Sequence, residues 1–228
     1  MSERETILGR IREALRVRAH RPKLHGQTKP TDPNRDPVLD FDGILPSVGK
    51  TFEERVAQFR MNANELRADF RLLNSPAELA PTLAALAAEE KWRRVATHRV
   101  PLAEQACSTL TVPVLRVDDA ISKEQLESCD AGVSECDSLI AQTGSVMVTS
   151  RSAGGRALSV LPPHHVVVAR REQLVGTLLE ALRGVQARYA PDYPSMISVI
   201  TGPSRTGDIE RILVLGAHGP KKLTILCC

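Results

Sequence analysis

The feature that most constrains the fold is an alternation of helix-like and strand-like segments in the middle of the chain. Residues 75–78 carry the marks of a helix start, namely a capping serine, a proline in the first turn and an acid at the third position. A short strand is predicted at 94–97, a second helix from Pro101, and a second strand at 112–117. This order favours a parallel sheet with helices on its faces, and so an α/β fold.

Composition divides the chain into three parts. Residues 1–19 have apolar side chains at helical spacing and are predicted as an N-terminal helix. Residues 20–50 contain five prolines and few apolar residues, which is typical of an extended linker. Residues 51–228 are predicted to form the α/β domain. Because the N-terminal helix cannot bury its apolar stripe alone, we expect it to pack on the domain or on a neighbouring subunit, which leaves a homodimer open.

Charge, cysteine usage and hydropathy exclude several classes of protein. The 30 basic and 27 acidic residues are mixed along the chain and aromatic residues make up only 3%, which argues against nucleic-acid binding. No apolar run approaches the ~18 residues of a membrane span, and the N-terminus lacks the apolar core of a signal peptide, so we expect a cytoplasmic protein. The five cysteines form no CxxC pair and no GxGxxG occurs. We therefore predict no iron–sulfur, metal or nicotinamide site, and the cofactor stays unknown.

The segment 130–156 has the pattern of a hairpin with polar ends. Glu135 and Asp137 precede an apolar run, a turn follows at 142–144, and a second apolar run ends at residue 149. The two acids stand two residues apart and so lie on one side of a strand. They can raise each other's pKa and are candidate acid–base catalysts, although solvated surface acids have the same pattern.

Two glycine-containing loops are candidate anion sites. The loop 201–210 follows a predicted strand, and its backbone amides, hydroxyls and guanidinium suit a carboxylate or a phosphate. The residues predicted to bind there are Gly202, Ser204, Arg205 and Thr206. Gly155 and Arg156 form the second candidate. Each has a plain alternative, since the first can be a capped turn and the second an ordinary turn.

Histidines and one cysteine complete the set of reactive side chains. His164 and His165 precede a predicted strand, and His218 lies in a glycine-containing loop. A histidine in the cleft can take the proton of a substrate hydroxyl, and we select His164 as the catalytic candidate, with a structural histidine as the alternative. Cys136 is the thiol that merits testing as a reactive group, with burial as its alternative.

Four motifs, in this order, resemble the LUD-domain family of lactate-utilization proteins. They are LIAQTGS at 139–145, LPPHHVVV at 161–168, TGPSRTGDIE at 201–210 and GAHGPK at 216–221. The resemblance covers residues 51–228 and implies a Rossmann-like fold of the sugar-phosphate isomerase and CoA-transferase type. It also implies a role in oxidising L-lactate to pyruvate beside two iron–sulfur partner proteins. Electron transfer through clusters would then take place in those partners.

The resemblance also bears on the ligand site. The family commonly has a glutamate where this chain has Gln142, and an amide cannot act as a general base. Catalysis is therefore expected from the acids and the histidine selected above. The ligand is expected between the hairpin turn and the 201–210 loop. The further contacts predicted there are Gln142, Thr143, Gly144 and His218.

Three functions stay open at this point. The first is a subunit of an L-lactate dehydrogenase (oxidoreductase) complex, which binds a small carboxylate or phosphate ligand. The second is a stand-alone enzyme of the isomerase or CoA-transferase type that acts on a phosphorylated or thioester substrate. The third is a non-catalytic scaffold that docks iron–sulfur partners through its N-terminal helix. Fold analogy alone cannot choose among them.

Overall fold

The computed structural model describes residues 3–16, 46–119, 121–206, 214–215 and 219–228. The chain separates into two compact units, Met1–Leu45 and Pro46–Cys228. The described part of the first unit is the helix α1, Glu3–Arg16. Most of the predicted linker and the predicted ligand residue His218 lie outside the described residues, so both stay predictions.

The second unit contains the other helices and all the described strands. The helices are α2 (Phe52–Glu65), α3 (Leu79–Glu89), α4 (Pro101–Cys107), α5 (Lys123–Glu127) and α6 (Leu178–Tyr189). The strands are β1 (Asp69–Leu72), β2 (Val95–Thr97), β3 (Val114–Arg116), β4 (Ala131–Glu135), β5 (Ser138–Ile140), β6 (Ser145–Thr149), β7 (His164–Ala169), β8 (Leu174–Val175), β9 (Ile197–Ile200), β10 (Arg205–Thr206), β11 (Val214–Leu215) and β12 (Lys222–Cys227).

A parallel sheet of six strands forms the centre of the domain. Its order is β1-β12-β7-β4-β2-β3, and every neighbouring pair is parallel. The α/β fold and the parallel sheet predicted from the alternation are thus confirmed. From β2 the chain crosses to β3 at one edge, whereas from β4 it crosses to β7 on the other side. The crossover direction therefore reverses between β2 and β4, which is where ligands bind in open α/β sheets.

A smaller sheet, with the order β8-β5-β6-β9, packs beside the central one. Its core is the predicted hairpin, in which β5 and β6 pair antiparallel with Leu139 opposite Val146. The sheet buries one face in a core shared with α2 and the central sheet. Its other face packs against α6, where Ile140 and Met147 contact Ala181 and Val185.

Helix α2 begins where the sequence predicts it. The Thr51 hydroxyl accepts a hydrogen bond from the Glu54 amide (3.2 Å), and the Glu54 carboxylate accepts one from the Thr51 amide (3.1 Å). This reciprocal pair satisfies backbone donors that a helix start leaves without partners. Along the helix, the fully buried Phe59 meets Phe70 edge to face, with ring centroids 4.8 Å apart. The seam of phenylalanines is therefore core packing.

Candidate functional site

A cavity of about 570 Å³ opens beside the carboxyl end of β4, between the central sheet, the hairpin and α6. Charged groups of both signs line it. They are Arg151, Arg170, Arg188, Glu135, Asp137, Glu172 and Glu180. Val100 and Val185 contribute apolar surface to the wall of the cavity. The position next to the crossover reversal, the size and the mixture of charges are those of a site for a small polar ligand.

Glu135 is the last residue of β4, and its carboxylate is fixed at one end of this cavity. Oε1 accepts a hydrogen bond from the backbone amide of Leu102, in the first turn of α4 (2.8 Å). Oε2 lies 3.7 Å from the Nη1 atom of Arg170, and the Glu135 side chain is 14% exposed. Because 3.7 Å is beyond a hydrogen bond, the Arg170 guanidinium keeps its donors available for an anion.

Asp137 lies two residues further on, against α6. Its Oδ1 atom accepts hydrogen bonds from the Tyr189 hydroxyl (2.7 Å) and from Arg188 Nη1 (3.0 Å). Burial and this hydrogen bond to Asp137 raise the pKa of the Tyr189 phenol. Burial opposes ionisation of Arg188, but its contacts with Tyr189 and Asp137 outweigh that effect and raise its pKa. The Asp137 side chain is thus held by a phenol and a guanidinium that both stay protonated.

The second oxygen of Asp137 differs from the first. Oδ2 is buried and has no hydrogen-bond partner among the described residues. Asp137 as a whole is only 5% exposed, so bulk water does not satisfy this oxygen. A buried acceptor without a partner carries a desolvation cost, which a ligand donor can remove.

His164, the histidine selected from the sequence, is not at this cavity. It starts β7 and pairs with the first residue of β4, whereas Glu135 is the last residue of that strand. Four strand residues separate the two levels, which corresponds to about 13 Å. Its ring bonds Thr224 (2.9 Å) and meets Trp92 edge to face, and burial lowers its pKa to about 4. The structure thus separates His164 from the two acids with which the sequence grouped it.

The hairpin turn and the 201–206 segment do lie together, as the sequence predicts. The hydroxyls of Ser145 and Thr201 are 2.9 Å apart and join the two. Both, however, stand at the far end of the hairpin from Asp137, because the turn follows β5 while Asp137 precedes it. The predicted single cleft between Asp137, the turn and the loop is therefore divided between two places.

The predicted ligand residues of the turn are occupied by packing on α2. The Asn62 side chain donates to the carbonyl oxygens of Ala141 and Gln142 (2.9 and 3.1 Å), and the Gln142 amide donates to Pro46 (2.8 Å). Gly144 has φ +64° and lies against the backbone of α2. Thr143 is exposed between them. These packing contacts account for Gln142 and Gly144 without a bound ligand.

The predicted anion loop is occupied in a similar way. The Arg205 guanidinium donates to the carbonyl oxygen of Leu66 at the end of α2, where helices leave such groups without partners. The Ser204 amide donates to Pro220 (2.8 Å), and Gly202 packs on Leu66. The side chain of Thr206 lies outside the described residues. The alternative of a structural turn therefore accounts for the described contacts of this loop.

The second predicted anion site lies near the cavity but outside its wall. The Gly155 amide donates to Ser150 (2.7 Å), and the exposed Arg156 donates to the carbonyl oxygen of Ser195 (2.7 Å). In the loop between β6 and Gly155, the residues that line the cavity are Arg151 and Ser152. Sequence analysis thus found the right segment and missed the arginine that faces the site.

Comparison with known proteins identifies the family. The sequence model of the LUD domain family matches residues 56–227 of this chain. The chain belongs to the LUD domain family. Among curated proteins it resembles lactate utilization protein C of Deinococcus radiodurans, with 34% identity over 119 residues that cover 52% of this chain and 55% of the relative. The corresponding protein of Shouchella clausii is 37% identical over 106 residues, which cover 46% of each. The chain thus matches about half the length of these relatives.

A solved crystal structure agrees with the fold. The crystal structure of a DUF162 family protein from Deinococcus radiodurans superposes with a TM-score of 0.60 at 25% identity, over 78% of this chain and 99% of that one. The family assignment is thereby supported by sequence and by architecture. The finer kinship to sugar-phosphate isomerases and CoA-transferases stays a prediction.

Sequence analysis did not consider His98, a buried histidine of this LUD domain that is not among the residues lining the cavity. It follows β2 directly, at the crossover reversal, and is 3% exposed with no partner for Nε2 among the described residues. Burial lowers its pKa, while Asp118, Glu135 and the backbone of Ser152 act in the opposite direction. Gly154 covers it so closely that a Cβ there would stand 2.7 Å from His98 Cβ. Its place directly after a buried strand was the available signal.

The five cysteines are buried in this LUD domain, and so is His165, the other histidine of the LPPHHVVV motif. Burial raises the pKa of the Cys136 thiol well above its usual value, which excludes a reactive thiolate near neutral pH. His165 bonds Ser134 (2.9 Å), and burial lowers its pKa to about 3. No group of three or more side chains suited to a metal ion occurs in the part of the chain described. Among the described helices, none has the length and apolar composition of a membrane span.

Proposed function

We propose that this LUD-domain chain is a component of a lactate-utilization system, and that it binds a small anionic ligand in the cavity beside β4. The observation that carries the proposal is the convergence of Arg170, Arg188, Glu135 and Asp137 on one cavity at the carboxyl edge of the parallel sheet. The relatives named lactate utilization protein C support the process. The position of the cavity supports the binding role.

Arg170 determines which kind of anion the cavity can bind. Arg170 stands 3.7 Å from Glu135, too far for a hydrogen bond, and its side chain is 46% exposed. A planar guanidinium with unused donors can hold a carboxylate through two parallel hydrogen bonds. Glu135, fixed by the Leu102 amide, would limit the space beside Arg170 to a small ligand.

We further propose that the redox chemistry of L-lactate oxidation to pyruvate takes place with iron–sulfur partner proteins. The five cysteines of this chain include no CxxC pair, the spacing that is typical of iron–sulfur ligands. This supports a binding or docking role for the chain within an oxidoreductase complex.

A second candidate is a stand-alone enzyme of the isomerase or CoA-transferase type. The observation in its favour is Glu135, a partly exposed carboxylate at the carboxyl end of a parallel strand, since such a group can act as a nucleophile or a base. Turnover of acyl-CoA or sugar phosphate by the isolated chain, lost on Glu135→Gln, would favour it. If the isolated chain turns over neither substrate, while growth on lactate requires the chain, the first candidate is favoured.

The test of the first candidate is growth on L-lactate in a strain that depends on this chain. We expect Arg170→Ala to abolish growth at normal protein levels, because it removes the anion contact without opening the core. Arg205→Ala is the matched control, since this arginine is bound to the end of α2, and that variant should still grow. Wild-type growth with Arg170→Ala would contradict the proposed site.

A further inference from the structure

Strand β9 forms an open edge of the smaller sheet. The sheet order is β8-β5-β6-β9, so β9 pairs with β6 on one side and, among the described residues, with no strand on the other. An exposed edge is a template for pairing with another chain, and proteins usually protect such edges with charged side chains, prolines or bulges. The four residues of β9, ISVI, contain neither a charge nor a proline, and their register with β6 is regular. This edge is therefore unprotected.

The backbone of this edge has hydrogen-bonding groups that its own sheet does not use. The Ser150 amide donates to the Met196 carbonyl oxygen (3.0 Å), so these two residues are a hydrogen-bonded pair of the β6–β9 ladder. Hydrogen-bonded and non-hydrogen-bonded pairs alternate along antiparallel strands. Ile197 and Val199 therefore direct their amide and carbonyl groups away from β6, to the open edge.

The same two residues expose apolar side chains. Val199 lies opposite Met147, which packs against α6, and Ile197 lies opposite Thr149, so both point to the α6 face of the sheet. Met147 is completely buried there, whereas Ile197 and Val199 are each 42% exposed. A further strand at this edge, with apolar side chains at matching positions, would remove part of this surface from water.

We propose that this further strand is β9 of a second copy of the chain, so that two copies join their smaller sheets edge to edge. Two β9 strands related by a two-fold axis through Ser198 run antiparallel, with Ile197 of one copy opposite Val199 of the other. Both residues direct their backbone groups to this edge, so each such pair exchanges two hydrogen bonds. The opposed side chains point to the same face and form apolar cross-strand pairs.

Charge also favours a second copy as the partner. The strand is neutral, and the nearest charged residues along the chain are Asp192 before it and Arg205 after it. Antiparallel self-pairing brings the start of one strand beside the end of its mate, so opposite rather than like charges approach each other. The edge is thus complementary to itself, which is the requirement of a two-fold symmetric interface.

Sedimentation velocity of the full chain tests the assembly. We expect a reversible dimer, of twice the 24.9 kDa chain mass, with a dissociation constant of about 1–100 µM for a small interface. Val199→Pro removes an amide hydrogen that points to the open edge, so pairing with β6 is kept. By symmetry the dimer loses two hydrogen bonds and should weaken about 10- to 100-fold. A wild-type monomer at about 500 µM, or an unchanged dimer with Val199→Pro, would overturn the proposal.

Ser198→Cys tests the register independently of the proline variant. In the proposed dimer the two copies of residue 198 form a non-hydrogen-bonded pair with Cα atoms about 4.5 Å apart, a separation that suits a disulfide. The five native cysteines are buried, so mild oxidation should join the two introduced thiols. Ser108→Cys, at an exposed position after α4, is the matched control and should stay uncrosslinked. Crosslinking of Ser198→Cys no faster than that of Ser108→Cys would overturn the pairing through β9.

Discussion

Three glycine-to-alanine substitutions separate the contributions that hold the hairpin turn against α2. Gly144 has φ +64°, and a Cβ there would stand 2.7 Å from the Ala63 amide nitrogen and 2.8 Å from the Asn62 carbonyl carbon. A left-handed conformation costs an ordinary residue about 1–2 kcal/mol. The overlap is with backbone, so α2 must shift, which adds about 1–3 kcal/mol. We expect Gly144→Ala to lower the free energy of unfolding by about 2–5 kcal/mol.

The other two positions provide matched controls for the same added methyl group. Gly155 has φ +101° with nothing within 4 Å of its Cβ position, so Gly155→Ala should cost only the conformational part, about 1–2 kcal/mol. Gly184 lies inside α6 with open space around it. Gly184→Ala should stabilise the protein by about 0.5–1 kcal/mol, because alanine favours helix.

Urea unfolding measures the series through the single tryptophan, Trp92, which is 6% exposed and reports its transfer to water. Equal costs for Gly144→Ala and Gly155→Ala would refute the contribution of the contact with α2. Destabilisation by Gly184→Ala would refute the conformational argument as a whole. Loss of growth on L-lactate by Gly144→Ala at unchanged stability would show that the turn binds a ligand after all.

Two further predictions concern buried titratable groups. Burial lowers the pKa of His164 to about 4 and of His165 to about 3, so the unfolded chain binds more protons than the folded one below its own histidine pKa of about 6.5. The free energy of unfolding should therefore fall as pH decreases from about 6.5 to 4, by at most about 1.4 kcal/mol per pH unit for each histidine, and His165→Gln should flatten that slope. Cys136 should resist thiol reagents at neutral pH in the native state and react at the rate of a free thiol in denaturant, and rapid native labelling would contradict its burial.

Much of the fold follows from local sequence patterns. The helix starts at Ser75 and Pro101 and the intervening apolar runs predict a parallel sheet, and the domain contains one. After Ser75 the chain first forms a 3-10 turn, Pro76–Glu78, and α3 begins at Leu79. The hairpin follows from its Thr143-Gly144 turn, and Gly144 adopts the positive φ that such a turn requires. These features succeed because neighbouring residues determine them. Pairing of distant strands, as between β1 and β12, has no comparable local signal.

The sequence predicted only part of the site, because local patterns do not show which end of a strand or hairpin faces the ligand. Both acids selected from the sequence line the cavity. The prediction that they lie on one side of a strand was wrong, because Glu135 ends β4 and Asp137 lies between β4 and β5. The pattern cannot tell which end of a hairpin faces the carboxyl edge of another sheet, so the turn was assigned to the wrong end. His164 is the first residue of β7, whereas Arg170 directly follows the last residue of the same strand. Because parallel sheets bind ligands at carboxyl ends, direction along the strand was the more informative signal.

The passage from Glu135 to Ser138 has a mechanical consequence. Within these residues the chain leaves the central sheet at the end of β4 and enters the smaller sheet at the start of β5. Arg170 belongs to the first layer, since it follows β7, and Arg188 belongs to α6 on the second. A ligand that contacts both arginines ties the two layers together across this short joint. We expect amide hydrogens on both sides of the joint to exchange more slowly when such a ligand is bound.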